Sequence, residues 1–166
     1  MFELGMPKSV SGHAAHDTSV SIERVFDFVA EKFFENYPRW CPQVVEVIPL
    51  DSDVVHIGAR ARQTTLENGV QTTSTFEVSK LDPPNSFEIL GISDRFRGEY
   101  KFSKKNSNET TIFFQFEFQE IDFAMRPFRK LIERALIEGA QATVQNIASL
   151  LEQHETESGA KRSSLS

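Results

Sequence analysis

The stretch that decides the fold is DFAMRPFRKLIERALIEGAQATVQNIASLLE, residues 122–152, because no other segment is long enough and periodic enough to form a core helix. Asp122 is a plausible N-cap, but Pro127 would break a helical hydrogen bond, so we expect a kinked first turn or a start near Arg126. The apolar positions are Phe128, Leu131, Ile132, Ala135, Leu136, Gly139, Ala142, Val144, Ile147, Ala148, Leu150 and Leu151. Their spacing of three and four residues predicts a helix with one buried face.

Small residues occupy the middle of this predicted helix. Gly139 and Ala140 follow one another, and Ala135 and Ala142 lie about one turn away. Such residues either allow another element to pack closely or leave room for a ligand. The sequence leaves both interpretations open.

Composition limits the class of protein. A chain of 166 residues is expected to form one domain that buries about two thirds of its surface. The single cysteine, Cys41, excludes an internal disulfide, and the net charge of -6 argues against a nucleic-acid partner. Since the sequence shows neither an apolar leader nor a run of about 18 apolar residues, we expect a cytoplasmic protein without stable membrane insertion.

Phenylalanine is unusually frequent in this chain, with 15 Phe against 1 Trp and 2 Tyr. Phe offers a large apolar surface without a hydrogen-bonding group. A chain of this kind either packs a very apolar core or lines an apolar cavity.

Upstream of the long helix, most segments have the pattern of strands separated by turns. A predicted edge strand over residues 9–19 is followed by two short helices, the first beginning after Ser21 and the second covering residues 31–37 and stopped by Pro38. The dipeptide Asn68-Gly69 is the strongest hairpin signal. Six further strands are predicted over residues 44–50, 56–66, 70–78, 86–93, 97–103 and 110–120.

The last strand shows the clearest alternation. Ile112, Phe114, Phe116 and Phe118 share one face, and Phe113 is the exception. Consecutive strands joined by short turns form an antiparallel meander, and one long helix laid across its apolar face buries both. The pattern therefore predicts an α+β fold.

Four short phrases carry a resemblance to a known family. They are VFDFV at residues 25–29, YPRWCPQV at 37–44, FEVSKLDPP at 76–84 and FRGEYKF at 96–102. With the order of elements over residues 8–153, they resemble the START-like (SRPBCC) superfamily and, within it, the polyketide cyclase/dehydrase-like group. The Gly-Thr that usually leads into the last strand reads Glu109-Thr110 here, which is a departure from the family's pattern.

This resemblance implies the helix-grip fold. In that fold a curved seven-stranded antiparallel sheet wraps around a long C-terminal helix, two short helices follow strand 1, and a hydrophobic cavity lies between sheet and helix. The corresponding division of the chain is a flexible N-terminus at residues 1–7, a single START-like domain at 8–153 and a disordered tail at 154–166.

The residues give no clear catalytic constellation. The histidines His13, His16, His56 and His154 do not have metal-ligand spacing, so we expect no metal. Cys41 has no CxxC partner and is interpreted as an inert thiol. Tyr100 is expected to face inward with Gly98 and Phe102, which makes it the best catalytic candidate, although a structural hydrogen bond is the simpler role.

Polar residues of the third strand also have a predicted orientation. Ala59, Ala61 and Gln63 share one face, and Arg60 and Arg62 share the other. If the small residues face inward, the arginines are solvated.

The candidate ligand cavity combines inward residues of the sheet with the long helix, and Phe33 would help to close one end. Tyr37, Tyr100, Gln63 and Gln115 are the candidate groups for orienting a ligand. Complete interdigitation would make this set a core, whereas incomplete packing would leave a ligand pocket. The candidate cavity residues are Phe34, Tyr37, Trp40, Gln63, Phe76, Phe87, Ile89, Tyr100, Phe102, Phe114, Phe116, Phe128, Ile132 and Leu136.

Three functions are compatible with the sequence. The first is binding of a small hydrophobic ligand, such as a lipid, polyketide, isoprenoid or aromatic metabolite. The second, which the resemblance implies, is a polyketide cyclase or dehydratase acting in the same cavity, and the third is a protein whose apolar face is covered by a partner. We expect no cofactor, and the oligomeric state is a monomer or a homodimer.

Overall fold

A computed structural model describes the backbone of residues 9–164 and the side chains of residues 9–157. The described chain forms a single sheet, short helices after its first strand and one long helix at its end. The elements are β1 (Val10–Thr18), α1 (Ile22–Phe26), a π-helical turn (Asp27–Glu31), α2 (Phe33–Trp40), β2 (Val44–Pro49), β3 (Arg60–Glu67), β4 (Val70–Asp82), β5 (Ser86–Gly91), β6 (Phe96–Asn106), β7 (Glu109–Phe118), a 3₁₀ segment (Phe123–Phe128) and α3 (Arg129–Ser164).

The seven strands form one antiparallel sheet in the order β1-β7-β6-β5-β4-β3-β2. Apart from the pairing of β1 with β7, each neighbour in the sheet is also a neighbour in sequence, as expected for a meander. The predicted α+β helix-grip fold, with short helices after strand 1 and a long C-terminal helix, is confirmed.

Alternation along the strands separates a concave face, which packs against the helices, from a convex face. In β7 the concave-face residues Ile112 and Phe114 are buried. Phe113 lies on the convex face, where the Lys101 ammonium is 5.7 Å from its ring centroid and the His13 ring is 5.6 Å away. These two neighbours shield the one phenylalanine that breaks the pattern.

The two ends of the sheet differ in what covers them. At one end Thr110 donates a hydrogen bond to the Val20 carbonyl over 2.7 Å, close to α1. At the other end, which we call the distal end, Phe118 pairs with Val10 and Phe96. The Arg129 guanidinium donates to the Ser9 carbonyl over 3.2 Å, so α3 begins at the distal end.

Pro38 lies inside α2, and the prediction that it stops this helix was wrong. Proline removes one helical hydrogen bond. Tyr37 and Trp40 flank it and are both buried, so packing of the last turn offsets that loss. The Asn36 amide also donates to the Phe28 carbonyl over 2.9 Å, which ties α2 to the preceding π-helical turn.

The helix α3 differs from its predicted bounds at its C-terminal end. The predicted irregular start is present as the 3₁₀ segment, which contains Pro127. The predicted end at residue 152 was wrong, because the helix continues to Ser164. Glu155 forms an ion pair with Arg24 over 2.8 Å, a contact that the local sequence pattern does not reveal. Residues 1–7 lie outside the described residues, and the division into a domain at 8–153 and a tail stays a prediction.

The first half of α3 lies directly against β1 at Gly12. A Cβ added to Gly12 would lie 2.8 Å from the Leu136 Cβ and 2.5 Å from the Leu136 carbonyl carbon. Only a residue without a side chain allows this approach. Gly12 therefore determines how closely the helix can lie against the sheet.

Among the described residues, no helix combines the length and apolar character needed to cross a bilayer.

Candidate functional site

The structure brings the predicted cavity residues together on the concave face and on the helices that cover it. Most of them are buried side by side, and the exceptions all lie near the distal end. The buried members are Phe34, Tyr37, Trp40, Gln63, Phe76, Phe87, Ile89, Tyr100, Phe102 and Phe114. Phe116, Ile132 and Leu136 are half-buried, and Phe128 is 50% exposed.

The deep part of the predicted cavity is filled by Phe33. Its ring lies 4.6 Å from the Tyr37 ring, 4.8 Å from the Phe87 ring and 5.8 Å from the Phe76 ring. The sequence placed Phe33 at one end of the cavity, whereas the structure places it within the aromatic cluster. This part of the interior is therefore a packed aromatic core.

Tyr100, the best catalytic candidate from the sequence, has a structural hydrogen bond. The Trp40 indole nitrogen donates to the Tyr100 hydroxyl oxygen over 3.3 Å, and both side chains are buried. Burial raises the pKa of Tyr100 far above its usual value, although the bond from Trp40 opposes that shift. A phenol of this kind stays protonated at neutral pH.

Tyr37, which is buried, and Cys41, which is half-buried, form a second pair of weak acids. Burial, followed by the neighbouring Cys41 thiol, raises the pKa of Tyr37 well above its usual value. Burial likewise raises the pKa of Cys41 to about 11, with smaller opposing contributions from the Val44 backbone and the Tyr37 hydroxyl. A thiol with this pKa is protonated at neutral pH and is a weak nucleophile.

Gln63 is the polar side chain that lies deepest on β3. It is 7% exposed, and its Nε2 donates to Ser74 Oγ over 3.1 Å. Its Oε1 is buried without a hydrogen-bond partner. Ala61 is buried on the same face, while Arg60 is exposed and bonded to Asp51. The predicted orientation of β3 is thus confirmed.

Gln115 does not orient a ligand on the concave face, contrary to the prediction. It pairs with His13 on β1 and Glu99 on β6, and all three residues belong to the convex side of the sheet. The concave face of β7 belongs to the even-numbered residues, as the burial of Phe114 shows.

One stripe of α3 faces α2 and the sheet. Ile132, Leu136, Gly139, Thr143 and Asn146 follow at intervals of three or four residues, which aligns them on one side of the helix. The Asn146 amide donates to the Trp40 carbonyl over 3.1 Å, so this stripe points toward α2. Thr143 is buried, Ile132 and Leu136 are half-buried, and Gly139 is exposed.

Open space lies beside the middle of this stripe. A Cβ added to Gly139 would meet no atom within 4 Å. Because Leu136 contacts Gly12, and Gly12 pairs with Phe116 on β7, the stripe meets the concave face next to Phe116. The next concave-face residue of β7, Phe118, is 36% exposed and its ring lies 5.2 Å from that of Phe116.

We call this region the distal site and define it by Phe116, Phe118, Ile132, Leu136 and Gly139. Phe118 and the polar partner Ser74 were absent from the predicted cavity set. Phe118 could have been included, since it continues the alternation of Phe114 and Phe116. The partnership of Ser74 with Gln63 depends on strand register, which the sequence pattern does not specify.

Two clefts lie elsewhere, beside α1. One has a volume of about 460 Å³ and is lined by Glu23, Phe26, Asp27, Glu31, Pro83 and Pro84. Both Glu23 and Asp27 already have cationic neighbours, Lys104 at 3.9 Å and Lys32 at 3.3 Å. Among the described residues, no group of three His, Cys, Asp or Glu side chains could hold a metal ion.

Comparison with known proteins places the chain in a family. A family model described as "Polyketide cyclase / dehydrase and lipid transport" matches residues 10–152. No curated protein matches the sequence significantly.

Solved structures share the fold at low sequence identity. The Zhui aromatase/cyclase from Streptomyces sp. R1128 is 14% identical with a TM-score of 0.71, and the match covers 87% of this chain and 94% of that one. A norcoclaurine synthase from Thalictrum flavum is 11% identical with a TM-score of 0.68, covering 89% and 96%. The protein Ara h 8.0201 is 12% identical with a TM-score of 0.67, covering 87% and 99%.

These structural likenesses support the fold, and the family match covers nearly the whole described domain. The resemblance drawn from the sequence is therefore confirmed. The chain belongs to the polyketide cyclase/dehydrase and lipid transport family of the START-like (SRPBCC) superfamily.

Proposed function

We propose that this protein binds a small hydrophobic molecule at the distal site, between the first half of α3 and the concave face of β6 and β7. The ligand class is a lipid, polyketide, isoprenoid or aromatic metabolite. The observation that carries the proposal is the incomplete burial of Ile132 and Leu136 on this stripe of α3, beside the exposed Gly139, where an added Cβ would meet no atom within 4 Å.

The change in burial along α3 supports this location. In the second half of the helix Val144, Ile147 and Leu151 are buried, whereas Phe128 near its start is 50% exposed. Burial of exposed aromatic surface of this kind stabilises a complex by about 25 cal/mol for each Å² removed from water. A flat apolar ligand packed against Phe116 and Phe118 would remove such exposed surface from water.

Because the aromatic core is packed, it favours ligand binding at the distal site over binding in a large central cavity. Phe33 occupies the space between Tyr37, Phe87 and Phe76, so a ligand that entered there would have to displace it. A ligand at the distal site would leave Phe33 in place. Shape and desolvation would provide most of its affinity.

The ionisable groups of the interior favour binding over a cyclase or dehydratase reaction. Among residues 9–157, no Asp, Glu, His, Lys or Arg side chain is buried. Burial raises the pKa of both Tyr37 and Tyr100 above the usual range of a phenol. A general acid or base works best with a pKa near the working pH, and these groups are far from it.

The test fills the open space by substitution. Gly139→Leu places a side chain where nothing lies within 4 Å, so we expect the helix to remain intact and to gain roughly 1 kcal/mol from the loss of a glycine. The control is Ser149→Leu, which adds the same side chain at an exposed position of α3. Binding is measured by fluorescence titration with the neutral dye N-phenyl-1-naphthylamine.

We expect saturable one-to-one binding of the dye to the wild type and to Ser149→Leu. Gly139→Leu should bind at least about tenfold more weakly, which corresponds to about 1.4 kcal/mol. No saturable binding by the wild type would contradict the proposed function. Equal affinity of Gly139→Leu and the wild type would contradict the location.

A further inference from the structure

The buried amide of Gln63 is only partly used by the protein. The side chain of glutamine offers two N–H donors and one carbonyl acceptor. The single hydrogen bond of Gln63 runs from Nε2 to Ser74 Oγ over 3.1 Å. Its Oε1 is fully enclosed and has no partner.

An enclosed acceptor without a partner destabilises a protein. Leaving a polar group unpaired on burial generally costs more than a typical hydrogen bond contributes. A residue of similar length without polar atoms, such as Met, would avoid that cost. The surroundings of Gln63 therefore suggest a role other than stabilising the fold.

Strand register connects Gln63 with the distal end of the sheet. Gln63 pairs with Ser74, and the next pair on the same face toward the Asn68-Gly69 turn is Thr65 with Thr72. Gln63 and Ser74 are buried, Thr65 is half-buried and Thr72 is exposed. These four residues form a polar strip on β3 and β4 that leads from solvent into the interior.

The opposite wall of the same face is apolar. Phe116 stacks on Phe96 with a distance of 5.4 Å between ring centroids, and Phe118 continues this row. The concave face near its distal end thus has an aromatic side on β6 and β7 and a polar side on β3 and β4. A ligand that complements both sides has an apolar body and a hydrogen-bonding edge.

We propose that Gln63 determines ligand specificity by accepting, through Oε1, a hydrogen bond from a hydroxyl or N–H group on the ligand. The inference rests on the proposed binding function and narrows its ligand class to hydrophobic molecules with a hydrogen-bond donor at one edge. Because Oε1 is enclosed, the ligand reaches it by displacing the side chains that cover it.

Three probes of similar size separate the contributions of the apolar body and the hydrogen-bond donor to binding. Naphthalene presents the apolar body alone, 2-naphthol adds a donor, and 2-methoxynaphthalene keeps the oxygen without the donor. Each probe is titrated by calorimetry into the wild type, Gln63→Met and Gln115→Met. Gln115 lies on the convex face, so Gln115→Met is the matched control.

We expect the wild type and Gln115→Met to bind 2-naphthol about tenfold more tightly than the other two probes. A hydrogen bond to a buried acceptor that otherwise has no partner can account for a difference in affinity of this size. In Gln63→Met this preference should disappear, while binding of naphthalene stays within about twofold of the wild type. A melting temperature no lower than that of the wild type would show that the variant is folded.

Two other outcomes are informative in different ways. If the wild type binds all three probes equally, the role of Gln63 is overturned while the binding function stands, and ordered water would then be the partner of Oε1. If the preference for 2-naphthol persists in Gln63→Met, another residue accepts the hydrogen bond from the ligand and the inference is also overturned. If the wild type binds none of the probes, the proposed function itself fails.

Discussion

The indole nitrogen of Trp40 donates a hydrogen bond to the Tyr100 hydroxyl oxygen over 3.3 Å, inside an aromatic cluster that excludes water. The bond joins α2 to β6, two elements that are far apart in sequence. It satisfies the one polar atom of the indole ring, which would otherwise be buried without a partner. The contact therefore assigns Tyr100 a structural role.

Replacing Tyr100 with Phe tests this role. The variant keeps the ring and leaves the Trp40 N–H unpaired, so we expect the free energy of unfolding to fall by about 1 kcal/mol. Urea denaturation measures the loss. Binding of N-phenyl-1-naphthylamine should stay at the wild-type level, because Tyr100 lies in the packed core rather than at the distal site.

The same variant separates structure from catalysis. A Tyr100→Phe protein with wild-type stability that no longer binds the dye would place the ligand against Tyr100. Loss of a measurable cyclase or dehydratase activity in this variant, with stability retained, would support the enzyme hypothesis instead.

Gly12→Ala tests the contact between β1 and α3. A Cβ at this position would lie 2.5 Å from the Leu136 carbonyl carbon, so the helix must move away from the sheet. Overpacking of this kind typically costs about 1–3 kcal/mol. We expect a matching fall in the free energy of unfolding and faster amide hydrogen exchange in the first half of α3.

The control for this prediction is Ser11→Ala, at the neighbouring position whose side chain lies on the other face of β1. Its stability should stay within about 0.5 kcal/mol of the wild type, as is usual for a substitution away from the core. If Gly12→Ala were equally neutral, the close approach of α3 to β1 would be wrong.

Local patterns predicted most of the fold because their physical causes are local. The hairpin signal at Asn68-Gly69 is an example, since both residues adopt positive φ angles, 52° and 79°, as this type of turn requires. The errors occurred where contacts between residues that are distant in sequence determine the structure. Pro38 remains helical because Tyr37 and Trp40 are buried around it, and α3 continues past residue 152, where Glu155 forms an ion pair with Arg24.

The candidate site was less predictable for the same reason. Alternation gave the inward orientation of Gln63 and the outward orientation of Arg60. It could not show that Phe33, from a helix, fills the space beside Phe87. Nor could it decide whether Gly139 allows close packing or leaves a gap, since that depends on which side chains approach from other elements.

The pH dependence of stability tests the environment of the Cys41 thiol. Burial raises the pKa of its thiol from 9.0 to about 11, so the folded state disfavours the thiolate. A folded-state pKa above the unfolded value gives stability that is complete below pH 9 and is lost as pH rises toward 11. We therefore expect urea midpoints that are constant up to pH 9 and decrease above it.

Two measurements isolate the thiol from the buried tyrosines, whose pKa values are also raised by burial. Cys41→Ala should remove the part of the decrease that begins near pH 9 and retain the part due to Tyr37 and Tyr100 at higher pH. Alkylation of the native protein by iodoacetamide should follow a thiolate with a pKa of about 11, whereas alkylation in urea should follow one near 9.0. A native alkylation profile centred near 9 would mean that the fold does not desolvate the Cys41 thiol, and the expected rise of its pKa would then be wrong.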